Sequence, residues 1–153
     1  MELSGILRQE AVRSVGASSK KRVLQTLGET MAAAYGLPEA LVVAALRERE
    51  ALGPTGVGHG VALPHARLPQ VEAMTGAFLR LDRGIDFGAV DRKPVDLIFA
   101  LFAPAGSGVE HLRALAAVSR VMRDASVRAK LRANTDPAVL HAILTERPAS
   151  QAA

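Results

Sequence analysis

The stretch at residues 95–102 reads Val95-Asp96-Leu97-Ile98-Phe99-Ala100-Leu101-Phe102, and it is the clearest strand in the sequence. From Leu97 onward the apolar residues run without the alternation that a strand with one solvated face shows. An unbroken apolar run of this length indicates a strand whose two faces are both covered by helices. We therefore expect this strand at the centre of the sheet in a layered α/β domain.

Two helices are predicted before this strand. Ser18 or Ser19 can cap the first helix, and Gly36 can end it. Pro38 suits the first turn of a second helix that continues to about Leu52. The apolar residues of both helices recur at helical spacing, and they are Val23, Leu24, Leu27, Met31, Tyr35, Leu41, Val42, Ala45 and Leu46. No element is defined by pattern before residue 18.

A further strand and three late helices complete the pattern. Residues 73–81 alternate as a strand, and residues 84–92 resemble turns. Ser107 and Glu110 have the spacing of a capping box, and the core-facing residues predicted for the helix they begin are Leu112, Leu115, Ala116, Ser119 and Met122. Helices are also predicted over about 125–133 and, after the cap Asp136, about 137–146. Together these elements predict a sandwiched α/β domain.

Composition indicates one compact domain. The chain has 153 residues, of which 49% are hydrophobic and 22% charged, the balance of a soluble globular protein. No linker or repeat interrupts it, so we expect one domain over residues 1–148 and a disordered tail over 149–153. No apolar run reaches the roughly 18 residues of a membrane span, and the amino terminus lacks a signal-peptide pattern. We therefore expect a cytoplasmic protein without membrane insertion.

Cysteine content and charge exclude several function classes. The chain has no cysteine, which excludes disulfides, thiolate catalysis and cysteine-ligated metals. Its net charge is +4, but aromatic residues are only 3%, so the dense basic stripe and stacking side chains of a nucleic-acid binder are missing. An acidic protein or a phosphorylated ligand is a better match for this charge.

A glycine-rich loop followed by a histidine is the strongest chemical signal. Residues 53–60 contain four glycines, and a short apolar run, Val61 to Leu63, leads from them to Pro64 and His65. Glycine amides can surround a phosphate without a metal, but the pattern is neither a Walker loop nor a dinucleotide fingerprint. A neutral imidazole can attack phosphorus and pass the phosphoryl group onward. On residue types alone, a nucleophilic histidine and a histidine merely bonded at a strand end both remain open.

Residues 55–65 resemble the signature of the fructose and mannitol class of enzyme IIA domains in the phosphoenolpyruvate-dependent phosphotransferase system. Other stretches resemble the nitrogen-regulatory branch of that class, and they are residues 17–21, 87–91, 94–101 and 111–115. The resemblance covers about residues 5–146. It implies a phosphotransferase with the EIIA type-2 fold, a mixed β-sheet sandwiched by helices on both faces.

The resemblance also implies roles for individual residues. His65 would accept the phosphoryl group on Nε2, and His111 would hydrogen-bond that group or orient the acceptor. Arg47 matches the arginine of the family's second helix, and a guanidinium suits phosphate oxygens. The other phosphate-binding residues would be Thr55, Gly56, Gly58, Gly60 and Arg67. Ala66 departs from the glycine that usually follows the histidine.

The remaining polar residues are expected to have surface or structural roles. Arg49 lies in the charged run from Arg47 to Glu50, which is typical of a solvated helix face. His59 is expected to be exposed, and His141 to be structural or exposed. Two histidines without a placed carboxylate or cysteine fall short of a tetrahedral metal site, so neither a metal nor another cofactor is expected.

Two functions remain open from the sequence. The first is a nitrogen-regulatory phosphocarrier that accepts its phosphoryl group from a histidine phosphocarrier protein (NPr-like or HPr-like) and regulates target proteins by its phosphorylation state. The second is a free-standing fructose-type enzyme IIA that passes phosphate to an enzyme IIB during sugar uptake. The stretch Ser18 to Lys21 favours the first. A binding module that has lost phosphorylation is disfavoured because His65, His111 and Arg47 are all present.

Overall fold

The computed structural model describes residues 2–146. After a 3-10 turn at Leu3–Gly5, the strands are β1 Leu7–Val15, β2 Gly56–Gly58, β3 Val61–Ala62, β4 His65–Arg67, β5 Thr75–Ile85 and β6 Val95–Ala103. The helices are α1 Lys20–Tyr35, α2 Glu39–Leu52, α3 Gly108–Arg123, α4 Ala125–Arg132 and α5 Pro137–Thr145. The tail predicted over 149–153 lies outside the described residues.

Strand β6 lies at the centre of a six-stranded mixed sheet, as its unbroken apolar run predicts. One edge pairs antiparallel with β5, which in turn pairs parallel with β1. The other edge pairs parallel with β3 and then, four residues further along, with β4. Leu97 to Ala103 are all buried. The break between β3 and β4 at Leu63 and Pro64 brings His65 back to the edge of β6, opposite Leu101.

Helices cover both faces of this sheet, which confirms the predicted fold class. Helices α1 and α2 pack on each other and form one group, while α3, α4 and α5 form the other. Neighbouring residues of β1 identify the two faces. The Arg13 guanidinium donates to Thr30 of α1, whereas Ser14 accepts from Arg80, whose guanidinium also donates to carbonyls at the end of α4.

Several predicted helix ends are confirmed by their hydrogen bonds. The Ser19 hydroxyl accepts from the amide of Arg22, and Gly36 ends α1 in the left-handed conformation with φ 70°. The Asp136 carboxylate caps α5 by accepting from the amide of Ala138. Each cap satisfies backbone groups that have no partner within the helix. These ends are therefore decided by local sequence.

Strand β1 and the start of α3 differ from prediction. The pattern defined no element before residue 18, because a bulge between Leu7 and Val12 interrupts the alternation of β1. Ser107 precedes α3 without a side-chain cap, since its hydroxyl donates to the carbonyl of Pro104 instead. The buried face of α3 also differs from prediction: Leu112 is 69% exposed, and the buried residues are His111, Ala114, Ala117, Val118 and Met122.

Within residues 2–146, no helix is both long enough and apolar enough to cross a membrane.

Candidate functional site

His65 is held in one tautomer by a backbone carbonyl of the connection between β3 and β4. Its Nδ1 lies 2.9 Å from the carbonyl oxygen of Leu63. A carbonyl oxygen only accepts, so Nδ1 must carry the proton and donate it. The lone pair of the half-buried ring is therefore on Nε2, on the side away from the backbone. This is the tautomer in which Nε2 can act as a nucleophile.

His111 meets His65 edge to face. It lies in the first turn of α3, where its amide donates to the carbonyl of Ser107, and the two ring centroids are 5.7 Å apart. Burial lowers the pKa of His111, and the positive charge that His65 carries when protonated and the charge of Arg67 lower it further. Both effects favour the neutral form of His111, which lies near the positive end of a helix.

The Nε2 atom of His111 is left without a hydrogen-bond partner among the described residues. Only 8% of this residue is exposed, so water does not readily replace the missing partner. A buried polar nitrogen without a partner costs free energy, and such groups are uncommon outside functional sites. A ligand bound beside His65 can supply that partner.

Arg49, rather than Arg47, contacts the histidine. Its Nε lies 3.4 Å from Nε2 of His65, and its Nη1 donates to the carbonyl of Gly53 at 2.9 Å. Arg47 is exposed and lines a groove between α1 and α2 with Lys20 and Lys21. Residues two apart on a helix point in nearly opposite directions. The structure therefore places Arg49, and not Arg47, beside His65.

A signal for Arg49 was present in the sequence. Val42 and Leu46 are the buried residues that point α2 toward the sheet, and Arg49 follows them at the spacing i, i+4, i+7 that keeps one helix face. The alternation of charge between residues 47 and 50 obscured this periodicity.

A cavity of about 350 Å³ opens beside the histidine. Arg49, Thr55 and His65 line it from the sheet and α2, and Leu115, Ala116 and Ser119 line it from α3. Pro54, Val57 and Leu63 complete the wall. The site is therefore a mostly apolar depression with a guanidinium and an imidazole in its wall.

Two of the predicted phosphate-binding glycines form the hairpin turn between β2 and β3. Gly58 and Gly60 adopt positive φ angles of 103° and 76° on either side of His59, and they line a different cavity together with Asp96 and Arg132. His59 is exposed, as expected, and its carbonyl accepts from Arg132.

Gly56 is required for packing. A Cβ atom at this position would lie 2.8 Å from the Cβ of Ala89, closer than two carbons can approach. The tight turn and this close approach give the glycines a structural role. Phosphate binding by Gly56, Gly58 and Gly60 stays a prediction.

Thr55 and Arg67 both lie near the histidine pair, but Thr55 is buried and bonded to Glu50, whereas Arg67 is exposed. The Thr55 hydroxyl donates to Oε1 of Glu50 at 2.6 Å, and its amide donates to Oε2 at 3.0 Å. Arg67 ends β4, is exposed, and is close enough to His111 to lower its pKa. Glu50 is a residue that sequence reasoning missed, because a carboxylate in a charged run gives no sign of burial.

His141 and metal binding complete the account of the predicted residues. His141 is half-buried, and its Nε2 lies 2.8 Å from the carbonyl of Leu7, which is a structural contact. Within residues 2–146, no three or more His, Cys, Asp or Glu side chains come together in a way that could hold a metal ion.

Comparison with known proteins gives consistent matches. Residues 6–147 match the family described as "Phosphoenolpyruvate-dependent sugar phosphotransferase system, EIIA 2". A "Nitrogen regulatory protein" of Bradyrhizobium diazoefficiens is 43% identical over 153 residues, which cover 99% of this chain and 100% of that protein.

Solved structures match as well. The nitrogen regulatory protein IIA-Ntr of Neisseria meningitidis is 37% identical with a TM-score of 0.86, covering 94% of this chain and 99% of that one. The enzyme IIA of the mannitol system of Escherichia coli, solved in complex with phosphorylated enzyme IIB, is 21% identical with a TM-score of 0.76. That match covers 93% of this chain and 100% of the other, and it shows a shared fold.

Proposed function

Because the chain belongs to the EIIA type-2 family of the phosphoenolpyruvate-dependent sugar phosphotransferase system, we propose that His65 is its phosphoryl acceptor. Members of this family are phosphotransferases, and nitrogen regulatory proteins align with nearly the whole chain. The chain is therefore a phosphocarrier of the nitrogen-regulatory type. The observation that carries the assignment of His65 is its hydrogen bond to Leu63, which leaves the Nε2 lone pair available for bonding.

The proposed transfer is an exchange between two imidazoles. The Nε2 lone pair of His65 attacks the phosphorus of a phosphohistidine on the donor protein and forms a new N–P bond. The donor's N–P bond breaks, and its electron pair returns to the donor ring, which leaves as neutral imidazole because its other nitrogen carries a proton. Nδ1 of His65 keeps its proton throughout, and the Leu63 carbonyl stabilises the positive charge that develops on the ring.

Arg49 and His111 are placed to stabilise the phosphoryl group. The Arg49 guanidinium already contacts Nε2 of His65, so a small movement brings its N–H groups onto phosphoryl oxygens. Nε2 of His111 lacks a partner among the described residues, and once protonated it can donate to another phosphoryl oxygen. We assign both to stabilisation of the transferred group and His65 alone to the covalent bond.

The family works with phosphocarrier and enzyme IIB partners. For this chain we propose a histidine phosphocarrier protein of the nitrogen branch as donor and regulated target proteins as the readers of its phosphorylation state. The route begins with phosphoenolpyruvate, so we place the exchange in the cytoplasm. The shallow, mostly apolar depression around His65 supports a protein donor, because two imidazoles must reach one phosphorus.

Labelled phosphoenolpyruvate tests this proposal. The chain is incubated with the enzyme I and carrier of the nitrogen branch and, in parallel, with the sugar-branch pair, and acid-labile label is followed over time. Faster labelling by the nitrogen pair is the expected result. Faster labelling by the sugar pair would favour the fructose-type enzyme IIA, and no acid-labile label from either pair would overturn the phosphocarrier assignment.

A further inference from the structure

We propose that Glu50 is a positioning residue that holds His65 in its reactive tautomer through a chain of hydrogen bonds. The proposal rests on the proposed role of His65 as phosphoryl acceptor. Glu50 is at the end of α2 and does not touch the histidine, so it acts through Thr55 and Leu63.

The Glu50 carboxylate is buried and accepts three hydrogen bonds. Only 7% of its side chain is exposed. Oε1 accepts from the Thr55 hydroxyl at 2.6 Å. Oε2 accepts from the Thr55 amide at 3.0 Å and from Nζ of Lys20 at 2.8 Å. Three donors on one carboxylate fix its position, and loss of the Thr55 hydroxyl would leave Oε1 without the one donor that it has here.

Two hydrogen bonds of backbone carbonyls connect Thr55 to the histidine. The Thr55 carbonyl accepts from the amide of Leu63 at 2.9 Å, and the Leu63 carbonyl accepts from Nδ1 of His65 at 2.9 Å. Glu50 thus fixes Thr55 by accepting a hydrogen bond from its amide. Thr55 in turn fixes Leu63, because the Thr55 carbonyl accepts from the Leu63 amide. The atom that selects the His65 tautomer is only two hydrogen-bonded residues away from the carboxylate.

Lys20 lies at the end of this series of hydrogen bonds that is farthest from His65. Its ammonium group pairs with Glu50 and lies 4.7 Å from the centroid of the Phe87 ring, so α1 and the segment after β5 both contribute to its position. A buried carboxylate requires such a counter-charge. Hydrogen bonds and one ion pair thus connect α1, α2 and the loop before β2 to Nδ1 of His65.

Glu50→Gln is the direct test. A glutamine has the same shape, but one of its oxygens becomes an NH2 donor, so it cannot accept from Lys20 and both groups of Thr55 at once. The matched control is Glu48→Gln, an exposed carboxylate on the same helix. Two measurements are made on each protein: the 15N shifts of the His65 ring, which report its tautomer without phosphotransfer, and the rate of labelling by the nitrogen-branch carrier.

In the unaltered protein and in Glu48→Gln, we expect His65 to be almost entirely protonated at Nδ1. In Glu50→Gln we expect a measurable population protonated at Nε2 and a labelling rate reduced by about 10-fold or more, because small displacements of a nucleophile cost large factors in rate. A folded Glu50→Gln protein with an unchanged His65 tautomer would overturn the proposal, even if its stability were reduced.

A second variant covers the case in which Glu50→Gln does not fold. Thr55→Val removes only the hydroxyl contact to Glu50, and a smaller change of tautomer in the same direction is expected. No change of tautomer in Thr55→Val would then overturn the proposal. If the unaltered protein takes no label at His65, the proposed function fails, whereas the ring shifts still decide the role of Glu50.

Discussion

Nε of Arg49 lies 3.4 Å from Nε2 of His65, so the guanidinium faces the nitrogen to which we assign the N–P bond. A separation of 3.4 Å is long for a hydrogen bond, and the contact is correspondingly weak. The guanidinium can therefore leave the nitrogen at little cost when phosphorus arrives, and its N–H groups then face the phosphoryl oxygens. Arg49 is held for this by its second bond, to the carbonyl of Gly53.

Arg49→Ala is expected to slow phosphoryl transfer to His65 by about 100-fold, the usual effect of losing one preorganised donor to a developing charge. The control is Arg47→Ala, which removes an exposed arginine two residues away and should leave the rate within about 2-fold. Transfer rates with the nitrogen-branch carrier measure both. The reverse result would restore the sequence-based assignment of Arg47.

His65→Ala is expected to abolish acid-labile, alkali-stable phosphorylation, because no other residue is proposed to carry the phosphoryl group. The His111→Ala protein should still take label, more slowly. Acid-stability assays on both variants separate the carrier histidine from its neighbour. Acid-labile label that persists in His65→Ala would show that the group sits elsewhere.

Replacing His111 should change how stability depends on pH. Burial lowers the pKa of His111 below its usual value near 6.5, so the unfolded chain binds a proton there more readily than the folded protein. As pH falls through 6.5 this difference destabilises the folded protein, and the penalty stops growing below the folded pKa. In His111→Gln the penalty is absent.

Urea unfolding at pH 7.5 and pH 5.5 checks this prediction. The stability of the unaltered protein relative to His111→Gln should be lower at pH 5.5 than at pH 7.5. Phosphorylation of His65 should have the opposite effect on the pKa of His111 and raise it, because an anion beside the ring favours the charged imidazole. A stability difference that is constant with pH would contradict the effect of burial.

Arg67→Glu is expected to slow phosphorylation by the carrier at low ionic strength by about 10-fold and to have little effect at high salt. Arg67 is exposed at the end of β4, beside the histidine pair. A charge at the rim of a transient interface mainly changes the rate of encounter, which salt screens. Equal rates for the variant and the unaltered protein at low salt would remove Arg67 from the docking surface.

Gly56→Ala is expected to reduce the free energy of unfolding by about 1–3 kcal/mol. The added carbon would meet Ala89 at 2.8 Å, and neither atom can rotate away because both are attached to the backbone. Gly106→Ala is the control, since nothing lies within 4 Å of a Cβ there. The free energies of unfolding of the two variants are measured in denaturant. Equal values would mean that the hairpin can move away from Ala89.

Much of the architecture was predictable because its signals are local. The apolar run after Leu97 predicts a central strand, and the positions of Ser19, Gly36 and Asp136 predict helix ends that the structure confirms. The resemblance of residues 55–65 to a known signature points to His65 by the same local means. Each of these patterns is contained within a short stretch of sequence, where periodicity and capping determine the conformation.

The tertiary structure alone decided which polar groups meet. Arg49 is in the site, and Arg47 is not, because the packing of α2 on the sheet sets the rotation of that helix. The carboxylate of Glu50 is buried because Lys20, from a different helix, and Thr55, from the next loop, close over it. Strand β1 depends on pairing with β5, whose paired residues lie 66 to 69 positions further along the sequence. Such contacts join segments that are distant in sequence, and a local pattern carries no information about their meeting.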